Sequence, residues 1–538
     1  MIRKRRKWGN KLIFLACALV ILLKLSININ SFFLNNSNEN ENEDFVYVQA
    51  KEVNSYIIQE YDEALTMMSY EIEPIRDQSN SSFPTLSMPQ NIDSHRPEVY
   101  INGFPVLSIE MDEPINWDGT TESLQFFREE WHGAILNVSN TDTAFEIIDV
   151  RVSARGRGNS TWGGFGGTKR PIRFRFPNND WRPMFDAEYV GRDWILLANV
   201  MDPSHLRDFS ARYLGSLMDT MHFVPDAWFV HLYLDGDYRG VYLLTDEREA
   251  IEGRANLTFN IDPAVSEYMI ERDARVVYGG TPVNSNWVQT RIGPFDIRYP
   301  STGSWTTQPE NPYAIYVESF LNAVDEAILG GNKVDIEAMI DIETFVDFYI
   351  VNEFFKNIDF GFASTFFQIR GQGEQRRLYA GPLWDFDLSS GSANNYPYYW
   401  PVDIDEPIGA HAAVTNDWFR QLLATPWFRE EVRNRWLSIR DNEVTDLLDR
   451  IQYIALTFED DFQRDIARWP DHGRSHAYNS SAVVGLTTSL ENAEYLHWWL
   501  TERSEWMSEF LNSDCTIYSS RWSDQYDIEK SIKSNCQG

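Results

Sequence analysis

The change of pattern near residue 250 constrains the fold of this chain more than any other feature. Between residues 98 and 250, short β-branched and aromatic runs alternate with turn residues, which is typical of short strands. Beyond that point the apolar spacing becomes helical, as in residues 313–329 and 343–356. The sequence therefore predicts an α+β fold with two lobes, a β-rich N-lobe followed by a helix-rich C-lobe. A cleft between two such lobes is a natural place for a ligand.

The N-terminus carries the pattern of an export signal. Five consecutive basic residues at positions 3–7 precede an uninterrupted apolar run at positions 12–23. The run is shorter than the ~20 residues of a full membrane span, but Lys11 and Lys24 can extend it by reaching the headgroups. No small-residue cleavage pattern follows closely, which favours an uncleaved signal anchor over a cleaved signal peptide. The basic cluster then stays in the cytoplasm and the rest of the chain lies outside.

Composition divides the chain into four predicted parts. They are residues 1–34 as a signal anchor or signal peptide, 35–96 as a polar acidic spacer, 97–512 as the folded domain, and 513–538 as a polar C-terminal tail. Within the domain, the N-lobe covers about residues 97–250 and the C-lobe about residues 251–512. We expect a membrane-anchored protein with an extracytoplasmic domain, or a protein secreted to the cell surface. Cys515 and Cys536 in the tail suit one disulfide or two free thiols equally well.

The charge of the chain excludes one class of partner. Lys and Arg number 47 against 80 Asp and Glu, so the formal net charge is −33. A chain this acidic repels the phosphate backbone of DNA and RNA, and we therefore expect no nucleic acid as a main partner. The aromatic residues are spread along the whole chain, which favours a large packed core over a sugar-stacking platform.

A glycine-rich basic segment, residues 155–162, lies between two predicted strands. Small residues let backbone N–H groups approach a phosphate, and turn-like backbone forms an anion-binding nest. Arg157 and Lys169 add positive charge, and Arg173 suits the same anion as a forked donor. Alternation in the following strand puts Arg173 and Arg175 on one face. The alternative is a hairpin turn whose arginines pair with the many carboxylates of this chain.

Two aspartates, Asp385 and Asp387, follow the apolar sequence Gly-Pro-Leu-Trp. In an extended segment, residues two positions apart point to the same face, so both carboxylates can hold one divalent cation. Mg²⁺ prefers carboxylate oxygens and usually keeps a phosphate as another ligand. The alternative is a solvated acidic turn, which the aromatic setting disfavours.

A third aspartate, Asp359, lies just past the predicted helix 343–356. There it is placed to accept a proton from a substrate hydroxyl or to touch a metal, with Asn352 and Asn357 as neutral oxygen ligands. The alternative is a helix terminus with Asn357 as the cap residue. A basic glycine-rich turn, a candidate base and a downstream metal aspartate are together the components of phosphoryl transfer, in the order that a kinase uses.

Five blocks of this sequence, in fixed order, are similar to those of one family. They are residues 155–162 with 169–171, residues 194–199 with Asp202, Ser204, Leu206 and Arg207, residues 240–244, residues 352–359, and residues 381–387. This series resembles the CotH kinase family, named for a spore-coat protein kinase. The similarity runs from about residue 97 to about residue 511.

The resemblance implies an atypical protein-kinase-like fold. It also implies ATP-dependent phosphorylation of serine or threonine in a protein substrate, assisted by Mg²⁺ or Mn²⁺. On that basis Asp359 corresponds to the catalytic aspartate, Asp385 to the metal-binding aspartate and Asp387 to a second metal contact. The expected partners are ATP, a substrate protein rich in Ser and Thr, and the membrane through the N-terminal anchor.

The resemblance further assigns the contacts to the nucleotide phosphates. The turn at residues 155–162 covers the phosphates, and the lysine or the basic strand that follows it contacts them. The residues so assigned are Arg157, Asn159, Ser160, Lys169, Arg173 and Arg175. The family usually has lysine where this chain has Arg175, and a bulkier forked cation changes the geometry of such a contact.

Two other functions suit the same residues. The first is a noncatalytic surface or coat protein that keeps the fold for binding, which the export signal favours because ATP is scarce outside cells. The second is a metal-dependent glycosyltransferase, because Asp-x-Asp with a divalent metal also suits a nucleotide-sugar diphosphate. Against this second function, no clear parallel-sheet nucleotide-binding half precedes the motif.

Overall fold

The computed structural model describes residues 83–89, 99–158, 160–163, 169–275, 286–300, 311–393, 404–470 and 479–512. These residues belong to one compact unit of mixed α+β structure. The predicted signal anchor, most of the acidic spacer and both tail cysteines lie outside the described residues. Within the described ranges, none of the helices combines the length and the apolar character that a membrane crossing requires.

Seven strands in the first half of the unit close into a barrel. They are Val106–Met111 (β1), His132–Ser139 (β2), Ile147–Gly156 (β3), Ile172–Arg175 (β4), Asp193–Leu197 (β5), Ala227–Leu234 (β6) and Asp237–Asp246 (β7). The order is β1-β2-β3-β4-β5-β7-β6, and β6 closes the barrel by pairing in parallel with β1. This confirms the β-rich first half that the short apolar runs predict.

Alternation decides which side chains of the barrel face inward. In β4, Ile172 and Phe174 belong to the buried cluster inside the barrel, whereas Arg173 and Arg175 are only partly buried. In β5, Leu196 points to the same interior. The arginines therefore lie on the outer face of the barrel, as the alternation of this strand predicts.

A second sheet follows, in a region where the sequence predicts mainly helices. Its strands are Tyr268–Arg272 (β8), Trp287–Thr290 (β9), Gly293–Tyr299 (β10), Thr365–Arg370 (β11) and Arg377–Ala380 (β12), in the order β12-β11-β8-β10-β9. The expectation that helices take over after residue 250 is therefore wrong for β8 to β10. Part of the segment 281–310, which is rich in Gly, Pro, Asn and Thr, forms the β9–β10 hairpin. Arg298 of β10 pairs with the buried Glu271 of β8, and these charges hide the apolar alternation.

Helices cover the second sheet and fill the rest of the unit. They are Gln125–Glu129 (α1), Ser160–Gly163 (α2), Arg207–Ser216 (α3), Pro312–Gly330 (α4), Lys333–Met339 (α5), Ile342–Phe355 (α6), Ala412–Thr415 (α7), Asp417–Ala424 (α8), Pro426–Ile439 (α9), Glu443–Thr457 (α10), Glu459–Arg468 (α11), Ser481–Val484 (α12) and Ser489–Asn512 (α13). Helix α6 is buried along nearly its whole length, which explains why it reads as one continuous apolar run.

A buried ion pair joins the barrel to helix α11. The Lys169 ammonium lies 2.7 Å from Asp465 Oδ1 and donates to the backbone carbonyl of Val241 at 2.8 Å. Lys169 and Asp465 are both almost fully buried. Gly240 (φ +100°) lies against the Asp465 carboxylate, where a side chain would collide with it. The pair therefore fixes α11 on strand β7 of the barrel.

We expect Asp465→Ala to destabilise the protein strongly, by about 3–5 kcal/mol, because the substitution leaves the Lys169 ammonium buried without its counter-charge. Urea denaturation followed by tryptophan fluorescence measures this loss. Glu431→Ala is the control, since it removes the exposed partner of Lys333, and its midpoint should stay close to wild type. Equal effects of the two substitutions would show that the buried pair does not join the two elements.

Candidate active site

The turn after helix α6 positions Asp359. Lys356 caps the helix with its backbone in the left-handed region (φ 49°), and its ammonium donates to the carbonyl of Ile408 at 2.7 Å. The side chain of Asn357 accepts a hydrogen bond from the N–H of Asp359 at 3.2 Å and donates to Asn352 at 3.3 Å. The cap is thus Lys356, and the alternative of Asn357 as the cap residue is wrong. Asn357 instead holds the backbone of Asp359.

A buried arginine that the sequence analysis missed supports this turn. Arg503 of α13 donates to Glu353 Oε1 at 2.6 Å and to the carbonyl of Gly409 at 2.7 Å. The same Glu353 oxygen accepts a hydrogen bond from the N–H of His411 at 2.7 Å. Three separate parts of the chain therefore meet at one carboxylate, next to the end of α6. In the sequence, the only local indication of this role is that Arg503 lies among the tryptophans of an otherwise amphipathic helix.

Asp385 follows strand β12 and does not lie in an extended segment. Its backbone is in the left-handed region (φ 66°), so the alternation argument that places it on one face with Asp387 does not hold. The hydroxyl of Ser364 donates to Asp385 Oδ2 at 2.9 Å, and the Ser364 N–H donates to Glu271 Oε1 at 3.2 Å. The N–H of Phe386 donates to Asp208 Oδ1 at 2.9 Å. Contacts from distant elements therefore set the direction of this carboxylate.

The segment after Asp387 is held by helix α3. Arg207 is fully buried and pairs with Asp202 at 2.5 Å. The same guanidinium donates to the backbone carbonyls of Ser389 at 3.0 Å and Ser390 at 3.3 Å. The sequence block that contains Asp202 and Arg207 thus anchors the block that contains Asp385 and Asp387.

The three aspartates named from the sequence interact electrostatically. Burial and the neighbouring Asp385 carboxylate raise the pKa of Asp359 to about 7, although Arg275 opposes this shift. Burial, Asp385 and Asp208 raise the pKa of Asp387 well above its ordinary value. Carboxylates that repel one another in a buried place are stabilised by a cation. The structure therefore brings Asp359, Asp385 and Asp387 into one negatively charged group.

This group fits a hard divalent cation held partly by another ligand. Mg²⁺ is commonly bound through one or two carboxylates together with substrate phosphates. No set of three metal-ligating side chains converges on one point in the part of the chain that the structure describes. Asp385, Asp387 and Asp359 are therefore candidates for only the carboxylate part of such a site.

Three guanidinium groups surround the tryptophan that precedes Asp385. Their carbons lie 3.9 Å (Arg248), 4.9 Å (Arg212) and 5.7 Å (Arg157) from the ring centre of Trp384. Arg212 is paired with a carboxylate of its own helix α3. Arg157 has no ion-pair partner among the described residues. Positive charge therefore lies close to Asp385, from Arg157 of the glycine-rich turn and from Arg248, which the sequence analysis missed and which pairs with Glu247 at 3.4 Å.

The other basic residues of the predicted phosphate contact lie elsewhere. Lys169 is buried in its pair with Asp465, which differs from its expected place beside Arg157. Arg173 and Arg175 each lie 2.7 Å from the carboxylate of Asp193, and Arg173 is also 3.0 Å from Glu247. Asn159 and the side chain of Ser160 lie outside the described residues.

The fold and the site define a mixed α+β protein in which a group of interacting aspartates lies beside the guanidinium groups of Arg157 and Arg248, a combination of charges that is complementary to a cation and to an anion such as phosphate. A family model described as CotH kinase protein matches residues 154–507, which is most of the folded region. The chain therefore belongs to the CotH kinase family. A search of curated proteins found no match to this chain.

The raised pKa of Asp359 has a consequence for stability. Its folded-state pKa of about 7 exceeds the ordinary value of 3.8, so the folded protein keeps a proton that the unfolded chain releases between these values. Stability without divalent metal should therefore fall as the pH rises from about 4 to about 7. Asp359→Asn removes this carboxylate, and we expect a smaller fall and a higher melting temperature than wild type at about pH 8.

Differential scanning fluorimetry in the presence of EDTA measures this difference across the pH range. The control is Asp219→Asn, because Asp219 is exposed and distant in sequence from the three aspartates. Its profile should follow wild type. Identical pH profiles for wild type and Asp359→Asn would contradict the repulsion between Asp359 and Asp385.

Proposed function

We propose that this protein is an ATP-dependent protein kinase of the CotH type that phosphorylates serine or threonine. The observation that carries the proposal is the effect of the Asp385 carboxylate, which raises the pKa of Asp359, in a partly buried place beside the guanidinium groups around Trp384. In this proposal the barrel serves as the N-lobe, and the second sheet with its helices serves as the C-lobe. The acceptor is a Ser- and Thr-rich surface or coat protein, reached by an extracytoplasmic domain.

Arg157 and Arg248 hold the phosphates of ATP in this proposal. Both guanidiniums contact Trp384, which directly precedes the metal aspartate. Forked cations bind phosphate oxygens through two parallel hydrogen bonds and neutralise their charge. Arg173 lies 3.0 Å from Glu247, and Glu247 lies 3.4 Å from Arg248, so this carboxylate joins Arg173 to the proposed phosphate contacts. The turn residues Asn159 and Ser160 remain predicted contacts.

Asp385, with Asp387 as a second contact, would hold Mg²⁺ or Mn²⁺. A divalent cation bound there neutralises the charge on the phosphates and orients them. The hydrogen bond from Ser364 leaves the second oxygen of Asp385 available and fixes the orientation of the carboxylate. Such positioning by a neighbouring donor is common around metal ligands.

Asp359 acts as the general base. The oxygen of the acceptor hydroxyl forms a bond to the γ-phosphorus of ATP while the bond from that phosphorus to the β–γ bridging oxygen breaks. The hydroxyl proton passes to the Asp359 carboxylate, and ADP leaves with the electron pair of the broken bond. A base with a pKa near the working pH is well matched to this task, and burial beside Asp385 raises the pKa of Asp359 to about 7.

The central test is transfer of label from γ-labelled ATP to a Ser-rich protein acceptor by the full-length chain, with Mg²⁺ or Mn²⁺. We expect Asp359→Asn to lower the rate about 10²- to 10⁴-fold. We also expect Asp385→Asn to abolish metal-dependent transfer, while Asp219→Asn retains the wild-type rate. Equal rates in wild type and Asp359→Asn would contradict the assignment of the base.

The same assay distinguishes the two other functions. Turnover of a nucleotide sugar in preference to ATP would indicate a glycosyltransferase. Absence of both transfer and metal-dependent ATP binding would indicate a noncatalytic surface or coat protein. Either outcome would overturn the kinase proposal.

The phosphate contacts have their own test. We expect Arg157→Gln and Arg248→Gln to raise the KM for ATP about ten- to a hundred-fold, since each substitution removes a charged hydrogen-bond donor. Arg151→Gln is the matched control, because Arg151 lies on the same strand as the start of the turn but pairs with the exposed Asp112. A KM for ATP that stays unchanged in both variants would exclude these two arginines from the nucleotide site.

A further inference from the structure

A second group of arginines lies on the outer face of the barrel, around Trp131. The guanidinium carbons lie 3.6 Å (Arg175), 4.8 Å (Arg155) and 5.7 Å (Arg173) from the ring centre of this tryptophan. Trp131 directly precedes β2, and strand pairing sets Arg155 opposite Arg173. The three arginines therefore form a continuous surface with Trp131, which we call the Trp131 patch.

The patch holds more positive charge than its carboxylates neutralise. Arg173, Arg175 and the nearby Arg192 share the carboxylate of Asp193, at 2.7, 2.7 and 3.0 Å. Glu247 lies 3.0 Å from Arg173 and Glu249 lies 3.7 Å from Arg192, but these two carboxylates also pair with Arg248 and Arg254. Arg155 has no ion pair among the described residues, and its Nε is buried without a hydrogen-bond partner. This surplus stands out in a chain whose net charge is −33.

The patch is connected to the candidate active site by short contacts. Arg173 lies 3.0 Å from Glu247, and Glu247 lies 3.4 Å from Arg248. Arg248 in turn stacks on Trp384, next to Asp385. An extended peptide advances about 3.3–3.6 Å per residue, so a few residues reach from the acceptor position to the patch.

We propose that the Trp131 patch binds acidic side chains a few positions from the phosphorylated residue of the substrate protein. This inference rests on the proposed kinase function and names the substrate class. Arginines stacked on an aromatic ring present their forks in a fixed plane, which suits carboxylate and phosphate groups. An acidic segment is repelled by most of this chain, so the patch also selects the direction from which the substrate approaches.

The patch is distinct from the contacts proposed for ATP. Those contacts, Arg157 and Arg248, surround Trp384, whereas Arg155 and Arg175 surround Trp131. Mutation of the patch should therefore change the KM for the protein substrate and leave the KM for ATP unchanged. Substitution of Arg157 or Arg248 should instead change the KM for ATP and leave the KM for the protein substrate unchanged.

The test uses the full-length chain and three Ser-containing peptides that differ only in the flanking residues. One carries glutamates, one carries phosphoserines and one carries glutamines. We expect the wild type to have a KM about ten-fold lower for the acidic peptides than for the glutamine peptide. Arg155→Gln should remove most of this preference without a change in kcat or in the KM for ATP.

Arg155 is the informative position because its substitution breaks no ion pair among the described residues. Trp131→Leu is a second variant, and it should also weaken the preference because the stacked arginines lose their support. Arg151→Gln on the same strand is the matched control and should keep the wild-type preference. A stronger effect for the phosphoserine peptide than for the glutamate peptide would identify a phosphorylated substrate, and the reverse an acidic one.

Direct binding separates this inference from the proposed function. Fluorescence anisotropy with labelled peptides and the Asp359→Asn protein measures the acidic preference without any transfer. If the acidic peptides bind more tightly but the wild-type chain transfers no phosphate, the kinase proposal is wrong and the assignment of the Trp131 patch as a site for acidic residues is retained. If Arg155→Gln binds all three peptides as wild type does, or raises the KM for ATP, the patch is not a site for acidic substrate residues.

Discussion

Repulsion between partly buried carboxylates is the constraint on which the site of this protein depends. Asp359, Asp385 and Asp387 come from two separate segments, and the Asp385 carboxylate raises the pKa of both Asp359 and Asp387. Such a group persists only where the surrounding contacts fix the backbone that carries it. Arg503 with Glu353 fixes one segment and Arg207 with Asp202 fixes the other. Two buried ion pairs of the unit thus hold the two segments that carry the aspartates.

The barrel complements this negative group with positive charge. Its interior is apolar, so its charged side chains must lie on the outer face, and alternation in β3 and β4 puts arginines there. Ile195 of the same barrel packs in one buried cluster with Trp384 and Phe366. The outer face therefore meets the second sheet next to Asp385. Anions that carry several phosphates or carboxylates fit such a junction between cations and a metal site.

Local patterns were enough to predict most strands of the barrel and the helix before Asp359, and they singled out the three aspartates as candidate site residues. The alternation of Ile172, Arg173 and Phe174 predicted which side chains face outward, because a period of two is a local property. The left-handed backbone of Asp385 was not predictable, because Ser364, which directly precedes strand β11, holds its carboxylate. Likewise, the partner that makes Lys356 the helix cap comes from a segment about fifty residues away.

The second sheet and the burial of Lys169 show the same limit. Strand β10 alternates apolar residues with Asp296 and Arg298, and Arg298 pairs with Glu271 of β8. The pattern therefore resembles a surface loop until the two strands are paired. Lys169 reads as a free cation beside a glycine-rich turn, and only the position of α11 reveals its carboxylate partner. Family membership does not replace these contacts, since function depends on the particular site that a fold carries.

The most direct test of this account is the binding of Mn²⁺ measured by electron paramagnetic resonance, with and without a nonhydrolysable ATP analogue. We expect the free Mn²⁺ signal to fall when the full-length chain and the analogue are both present, because carboxylates and phosphates share the ion. Asp385→Asn should abolish this binding, while Asp359→Asn should retain it. An unchanged Mn²⁺ signal with wild type and the analogue would contradict the assignment of Asp385 to a metal-bound nucleotide.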